Sequence, residues 1–566
     1  MKFSQMPYVR PNLEEVKAQT QACLDAFTNA SSFEEADKAF HEYDAASGHL
    51  GTMLTLASIR HSINTEDAFY TAEQEVLDEI SPLLQELGQR FNKALYESPY
   101  RPDFEKKYGR LMFTNIGIGL RTFDEKLIPD LQEENRLVTA YSKLIASAQI
   151  PFEGEVLTLS QLSPYTVSSD DNLRHKAWEA NNAFFESHKE ELDDIYDKLT
   201  ALRTSMGRKL GYDNYIPLGY DRMTRNCYGV EDIERFRSAI VKYVVPLAEK
   251  LYRLQAERTG LPYPLSYKDA GLQFRSGNPK PAGTAEDILR EGKAFYHWLG
   301  DEAGEFIDFM FDNDLLDVLS RKGKQAGGYC TELSDYRCPF IFANFNGTQG
   351  DVEVMTHEAG HAFANFLARD IFPSSAHWPT MESCEIHSMS MEFFGWAWAE
   401  KFFGKDAEKF RYSHLAGAIT SLPYGTLVDH FQHIVYEHPE LTPAQRNAEW
   451  ARLTKIYLPW ISLGDLSFYG EGRYWQRQGH IYSSPFYYID YCLAQSVALQ
   501  FWALIQEDQE QAWRRYVRLA RQGGTMTYKE LVAFAGLKDP FGEEALRDVC
   551  QAAAKWLDEQ DLTNIK

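Results

Sequence analysis

The sequence predicts a mainly α-helical protein with a small β element. Segments 13–47, 63–99, 130–148, 172–210 and 231–258 place apolar residues at helical spacing among charged ones, with few β signals. β-formers concentrate in one short run, Pro339-Phe340-Ile341-Phe342-Ala343-Asn344-Phe345. The stretch 260–284 is rich in Pro and Gly and reads as a loop or small β excursion. No internal repeat or low-complexity tract is present.

Composition narrows the partners. A chain of 566 residues permits a large core or several lobes, and its net charge of −24 argues against nucleic acid and anionic membranes as main partners. The seven cysteines are scattered and do not resemble a disulfide framework. Met1-Lys2-Phe3-Ser4-Gln5-Met6-Pro7 lacks a signal-peptide apolar core, and no run of 18 apolar residues occurs, so the expected location is cytoplasmic. Oligomeric state stays open.

The chemistry concentrates at His357-Glu358-Ala359-Gly360-His361, an H-E-x-x-H pattern. Asn346-Gly347-Thr348-Gln349-Gly350-Asp351 is turn-forming, with Asp351 as expected N-cap. Met355, Ala359, Ala362, Phe363 and Phe366 then recur at helical spacing until Pro373, predicting a buried helix from about 351 to 369. On a helix the two imidazoles stand on one face and can reach one ion, with Glu358 beside it as general base.

A zinc site of this kind needs a third protein ligand and an open position for water. Glu385 is the first candidate, at the start of a second apolar helix containing Ile386, Met389, Phe393, Phe394 and Trp396. A carboxylate facing that core needs a cation. Glu382, Glu385, Ser388 and Glu392 share one stripe, so three carboxylates compete, Glu382 alternatively as a cap and Glu392 as a solvated or supporting acid. His430, His433, Glu437 and His438 form a rival cluster, with His430, His433 and Glu437 on one helix face. His377, His387 and His414 carry no comparable partner pattern.

Further downstream, Ser484-Pro485 reads as an N-cap and first helical residue. Tyr487 and Tyr491 then share a helix face, with Tyr488 on the adjacent one. A phenol donates a hydrogen bond without bringing negative charge, which suits an oxyanion.

T-H-E-A-G-H-A-F, followed 28 residues after its first histidine by E-I-H-S-M-S-M-E-F-F, resembles the thimet-oligopeptidase and oligoendopeptidase F family of zinc metallopeptidases. G-Y-D-N-Y-I-P-L-G-Y-D-R-M (211–223), G-G-Y-C-T-E-L…P-F-I-F-A-N-F (327–345), H-F-Q-H-I-V-Y-E (430–437) and G-H-I-Y-S-S-P-F-Y-Y-I-D-Y (479–491) extend the resemblance over roughly 180–560, closest to the bacterial oligoendopeptidase F branch. The resemblance implies one zinc ion per chain held by His357, His361 and Glu385, with Glu358 as base. It also implies substrate-binding and transition-state donors at His480 and among Tyr491, Tyr488 and Tyr487. The tyrosine spacing is shifted from the thimet-like pattern, and the intervening loop is poorer in glycine.

The implied architecture is two helical lobes around a deep channel, with a small β-sheet beside the zinc-binding helices. Residues 1–180 are expected to form a lobe that narrows access, and 181–566 the catalytic region. The implied activity is endopeptidase cleavage of short unfolded peptides. These are expected to bind in extended form against the 339–345 strand. A metallocarboxypeptidase is the alternative; it needs a cation for the terminal carboxylate, for which Arg473 and Arg477 are the candidates.

Overall fold

Side-chain caps set where the N-terminal helices begin. The computed structural model describes residues 1–321, 323–325 and 327–561. Asn12 accepts the amides of Glu14 and Glu15 at the start of α1 (Leu13–Thr28), Ser32 caps α2 (Phe33–Ile63), and Asp67 caps α3 (Ala68–Tyr96). The expected continuous helix over 13–47 is therefore split, because Ser32 starts a new helix. Phe27, Phe40 and Phe91 of these helices close a small separate core with Phe104 and Phe113 of the two helices that follow, Arg101–Tyr108 and Arg110–Arg121.

The second half of α2 leaves that core and enters the main one through Met53, Leu56 and Ile59. The same core takes in residues of α4 (Ile128–Ala146), α5 (Lys189–Lys209) and α6 (Ile216–Arg222). Glu134 of α4 sits between two guanidiniums, 2.7 Å from Arg203 Nε and 2.9 Å from Arg222 Nη2. Burial would push its carboxyl up, but the two arginines hold it down at about 2. Arg203 also donates to the Tyr436 hydroxyl at 3.1 Å and to the Tyr482 carbonyl, so one buried charge cluster ties α4 to segments some 300 residues further along the chain.

Strands are few. Leu265–Ser266 pairs with Ile461–Ser462 within the Pro/Gly-rich excursion, which is otherwise turns and one short helix. The sheet near the site has three strands, β1 (Leu316–Leu319), β2 (Tyr329–Leu333) and β3 (Cys338–Phe345), in the order β1-β3-β2. β3 is parallel to β1 and antiparallel to β2.

This corrects one expectation. The 339–345 segment is the central strand with both edges occupied, so it has no free ladder to offer a peptide. Its near-continuous burial is what its unbroken apolar run encodes. The two edges of the sheet belong to β1 and β2.

Behind the sheet lie α7 (Gln349–Ala368), α8 (Met381–Phe394), α9 (Ala407–Glu437) and α10 (Tyr488–Glu507). α7 covers the predicted helix, but Thr348 is its N-cap residue. Asp351 instead sits in the first turn and accepts the amides of Asn346 and Gly347 at 2.8 and 2.7 Å, which folds the preceding loop back on the helix. No described helix is long and apolar enough to cross a membrane.

Candidate metal centre

α7 and α8 cross at a point that only glycine permits. A Cβ on Gly360 would come within 2.9 Å of Ser388 Cα and 3.0 Å of the His387 carbonyl oxygen. This close approach brings Glu385 of α8 to the two histidines of α7. Glu385 Oε2 lies 3.4 Å from His357 Nε2 and 3.3 Å from His361 Nε2. The three donor atoms fall within 4.8 Å of one another, the one such group of three among the described residues.

Two imidazole nitrogens and one carboxylate oxygen at this spacing are a donor set able to hold a divalent metal ion with a further position left open. Burial alone would push the Glu385 carboxyl up, but His361 and His357 hold it well below its ordinary value. Tyr487 donates to Glu385 Oε1 at 2.7 Å and Ser388 to Oε2 at 2.9 Å.

Glu392, the competitor two stripe positions further on, has a different place. Its Oε1 lies 2.6 Å from His357 Nδ1 and its Oε2 lies 2.8 Å from His414 Nε2. Trp396 donates to His414 Nδ1 at 3.0 Å, so the His414 proton is on Nε2 and points at Glu392. The same logic puts the His357 proton on Nδ1, leaving Nε2 free to ligate. Glu382, the third competitor, accepts from Thr380 at 2.7 Å in the first turn of α8.

The rival histidine cluster does not assemble. His430 Nδ1 bonds the Tyr457 hydroxyl at 2.9 Å, and His433 bonds the Asp429 carbonyl and the Tyr220 hydroxyl, each at 2.9 Å. Two of the histidines set aside in the sequence do have partners. His414 supports Glu392, and His377 pairs with Glu332 at 2.6 Å. His387 is fully buried and neither ring nitrogen has a protein partner; burial pushes it down to about 3.

Glu358 is half-buried. Burial pushes the Cys330 thiol on β2 well up, and the Glu358 charge adds to it, as it does more weakly at Tyr491. His480 and the three tyrosines gather opposite. The Tyr424 hydroxyl donates to Gln478 Oε1 at 2.8 Å, which orients that amide so that its Nε2 donates to His480 Nδ1 at 2.8 Å. His480 therefore presents an Nε2–H, 3.4 Å from the Tyr491 hydroxyl. Burial lowers its pKa, keeping it neutral. The Tyr487 and Tyr491 rings lie 5.0 Å apart, whereas Tyr488 turns toward Tyr424 and Gly425, with its ring 5.1 Å from that of His480.

The helix carrying these tyrosines starts later than Ser484-Pro485 suggests. Ser484 ends the short helix Gly479–Ser483, Pro485 and Phe486 make a turn, and α10 begins at Tyr488. The cause is Phe486, whose φ of 66° no helix can include.

A helical fold that brings an H-E-x-x-H helix and a second-helix glutamate to one point is that of a metallopeptidase. Comparison with known proteins agrees. Residues 3–123 match the Peptidase M3 N-terminal domain, and residues 300–549 match Peptidase family M3. A solved structure described as an oligoendopeptidase F is 45% identical over 99% of both chains, with a TM-score of 0.97. PZ peptidase A, solved with an inhibitor, is 44% identical over 100% of both chains, also at 0.97. A structure described as an oligoendopeptidase F from Bacillus anthracis is 43% identical over 100% of this chain and 99% of its own, at 0.93. No curated protein matches. The chain belongs to peptidase family M3 and is a metalloendopeptidase.

Proposed function

We propose that this protein is a zinc-dependent endopeptidase that hydrolyses internal bonds of short unfolded oligopeptides. The observation that carries this reading is the convergence of His357, His361 and Glu385 on one point, with Glu358 on the same helix. Two imidazoles and a carboxylate favour zinc over harder cations, one ion per chain. Bound there, zinc would supply Lewis-acid polarisation of the scissile carbonyl and a lowered pKa for water, from 15.7 to about 7.

The protein's own groups supply the rest. Glu358 takes the water proton and passes it to the leaving amine. The His480 Nε2–H and the Tyr491 hydroxyl donate to the oxyanion, each without adding negative charge. Tyr487 is spent on Glu385 and steadies that ligand; Tyr488 shapes the wall behind His480.

The peptide lies extended along the edge strand β2, which packs against the metal-bearing helix α7. Residues 1–180 act as the lobe that restricts this approach to short peptides. The cytoplasm is the proposed location. The carboxypeptidase alternative is weakened because Arg473 is already paired with Asp193 at 2.8 Å and Glu471 at 2.9 Å, while Arg477 sits among the rings of Trp178, Tyr469 and Tyr474.

Hydrolysis of a peptide blocked at both ends tests the reading. The wild type cleaves it internally and a chelator stops the reaction. Glu358→Gln keeps its metal but loses turnover. Full activity in that variant would remove Glu358 as the base.

A further inference from the structure

Phe486 is the residue before Tyr487, and its backbone is left-handed, with φ at 66°. Such a conformation comes free to glycine, but a bulky side chain holds it only when its surroundings over-determine it. Here they do, from four directions. Its amide donates to Gln432 Oε1 at 3.1 Å, and its carbonyl accepts from the Arg225 guanidinium. Arg225 is itself anchored on Asp490 at 3.0 Å. The Phe486 ring is fully buried over Gly219, where a Cβ would come within 2.6 Å of it. His433 closes the cradle with its ring 4.8 Å away, fixed in turn by Tyr220.

One peptide unit further, the Tyr487 hydroxyl meets Glu385, and the Tyr487 ring lies against Tyr491. Returning Phe486 to an ordinary φ would redirect the chain just ahead of Tyr487 and withdraw that phenol from the ligand. The Gln432 side chain is itself fully buried, with its Nε2 donating to the Val428 carbonyl at 3.3 Å, so its acceptor is held in one place.

We propose that Gln432 and Arg225 are positioning residues for catalysis. By holding Phe486 in the left-handed conformation they aim Tyr487 at Glu385. This gives the H-F-Q-H motif of α9 a task that needs no metal of its own. The proposal rests on the reading of Glu385 and the tyrosines given above.

Gln432→Met keeps the side-chain length and removes the acceptor. The expected result is a fall in kcat on the order of tenfold with KM nearly unchanged, because Glu385 loses the phenol that steadies it. In a Tyr487→Phe background the same substitution should have little further effect on kcat, because both changes act through one phenol. Its effect on thermal stability should be equal in the two backgrounds. Gly219→Ala, which presses on the Phe486 ring, serves as a second variant with the same expected non-additivity. The proposal is overturned if either variant lowers the melting temperature while kcat is unchanged. It is also overturned if the losses in kcat multiply with that of Tyr487→Phe. Glu358→Gln, assayed alongside, separates the two levels: an inactive Glu358→Gln with an unaffected Gln432→Met rejects only the positioning role, whereas an active Glu358→Gln rejects the underlying reading.

Discussion

Glu392 Oε1 lies 2.6 Å from Nδ1 of His357, on the ring edge opposite the nitrogen that faces Glu385. The Trp396–His414–Glu392–His357 chain thus sets the tautomer and ring angle of one ligand from 39 residues away (396 against 357). Replacing Glu392 with Gln should weaken metal affinity by about 10- to 100-fold, read by competition with a chelator. An unchanged affinity would show that the His357 ring is held by other means.

Gly360→Ala should be harmful where helix propensity alone says the reverse. Alanine normally favours a helix by about 1 kcal/mol over glycine. Here the new methyl would meet backbone of α8, at Ser388 Cα and the His387 carbonyl, and backbone cannot turn aside as a side chain can. The helices must separate, and Glu385 moves away from the histidines. Reduced metal affinity and reduced stability together are expected; a more stable enzyme with full metal content would contradict the crossing described.

His377 carries a pH signature. Its Nδ1 lies 2.6 Å from Glu332 and its Nε2 2.9 Å from the Ile371 carbonyl, so both nitrogens donate and the ring is an imidazolium. Burial pulls its pKa down, but Glu332 outweighs this and the net shift is upward. A raised histidine contributes stability that is fully present below its unfolded value of about 6.5 and is lost as pH rises through the folded value. His377→Gln should therefore cost most at pH 6, about 3 kcal/mol for removing one partner of a buried pair. In denaturant melts the gap between wild type and variant should narrow as pH rises above neutrality. A gap that is constant from pH 6 to 9 would mean that the ring is not charged.

Glu134 sets the opposite trend at low pH. With its carboxyl held at about 2, its contribution is present above the ordinary carboxylate range near pH 4 and fades as pH falls toward 2. Glu134→Leu leaves Arg203 and Arg222 without their shared carboxylate and should destabilise by about 3–5 kcal/mol at pH 7. The variant should also lose the share of acid sensitivity that Glu134 contributes over that window.

What the sequence made legible follows from what is local. The four-residue histidine spacing, the apolar periodicity of α7 and α8, and the need of a buried Glu385 for a cation are properties of single segments. The partnership of Glu392 with His414, or of Glu332 with His377, joins residues on different elements, and no periodicity encodes it. The run 339–345 is recognisable as a strand, but its central place depends on β1 and β2, on either side of it. Ser484-Pro485 has the composition of a helix start, yet Phe486 delays the helix because tertiary contacts impose a backbone conformation that local preference disfavours.

The central claim is that His357, His361 and Glu385 share one catalytic zinc. Crystals of the purified enzyme measured at the zinc absorption edge test it most directly. The account predicts a single anomalous peak about 2.0–2.2 Å from His357 Nε2, His361 Nε2 and a Glu385 oxygen. A peak beside His430 and His433, or zinc-dependent turnover with no peak between α7 and α8, would contradict it.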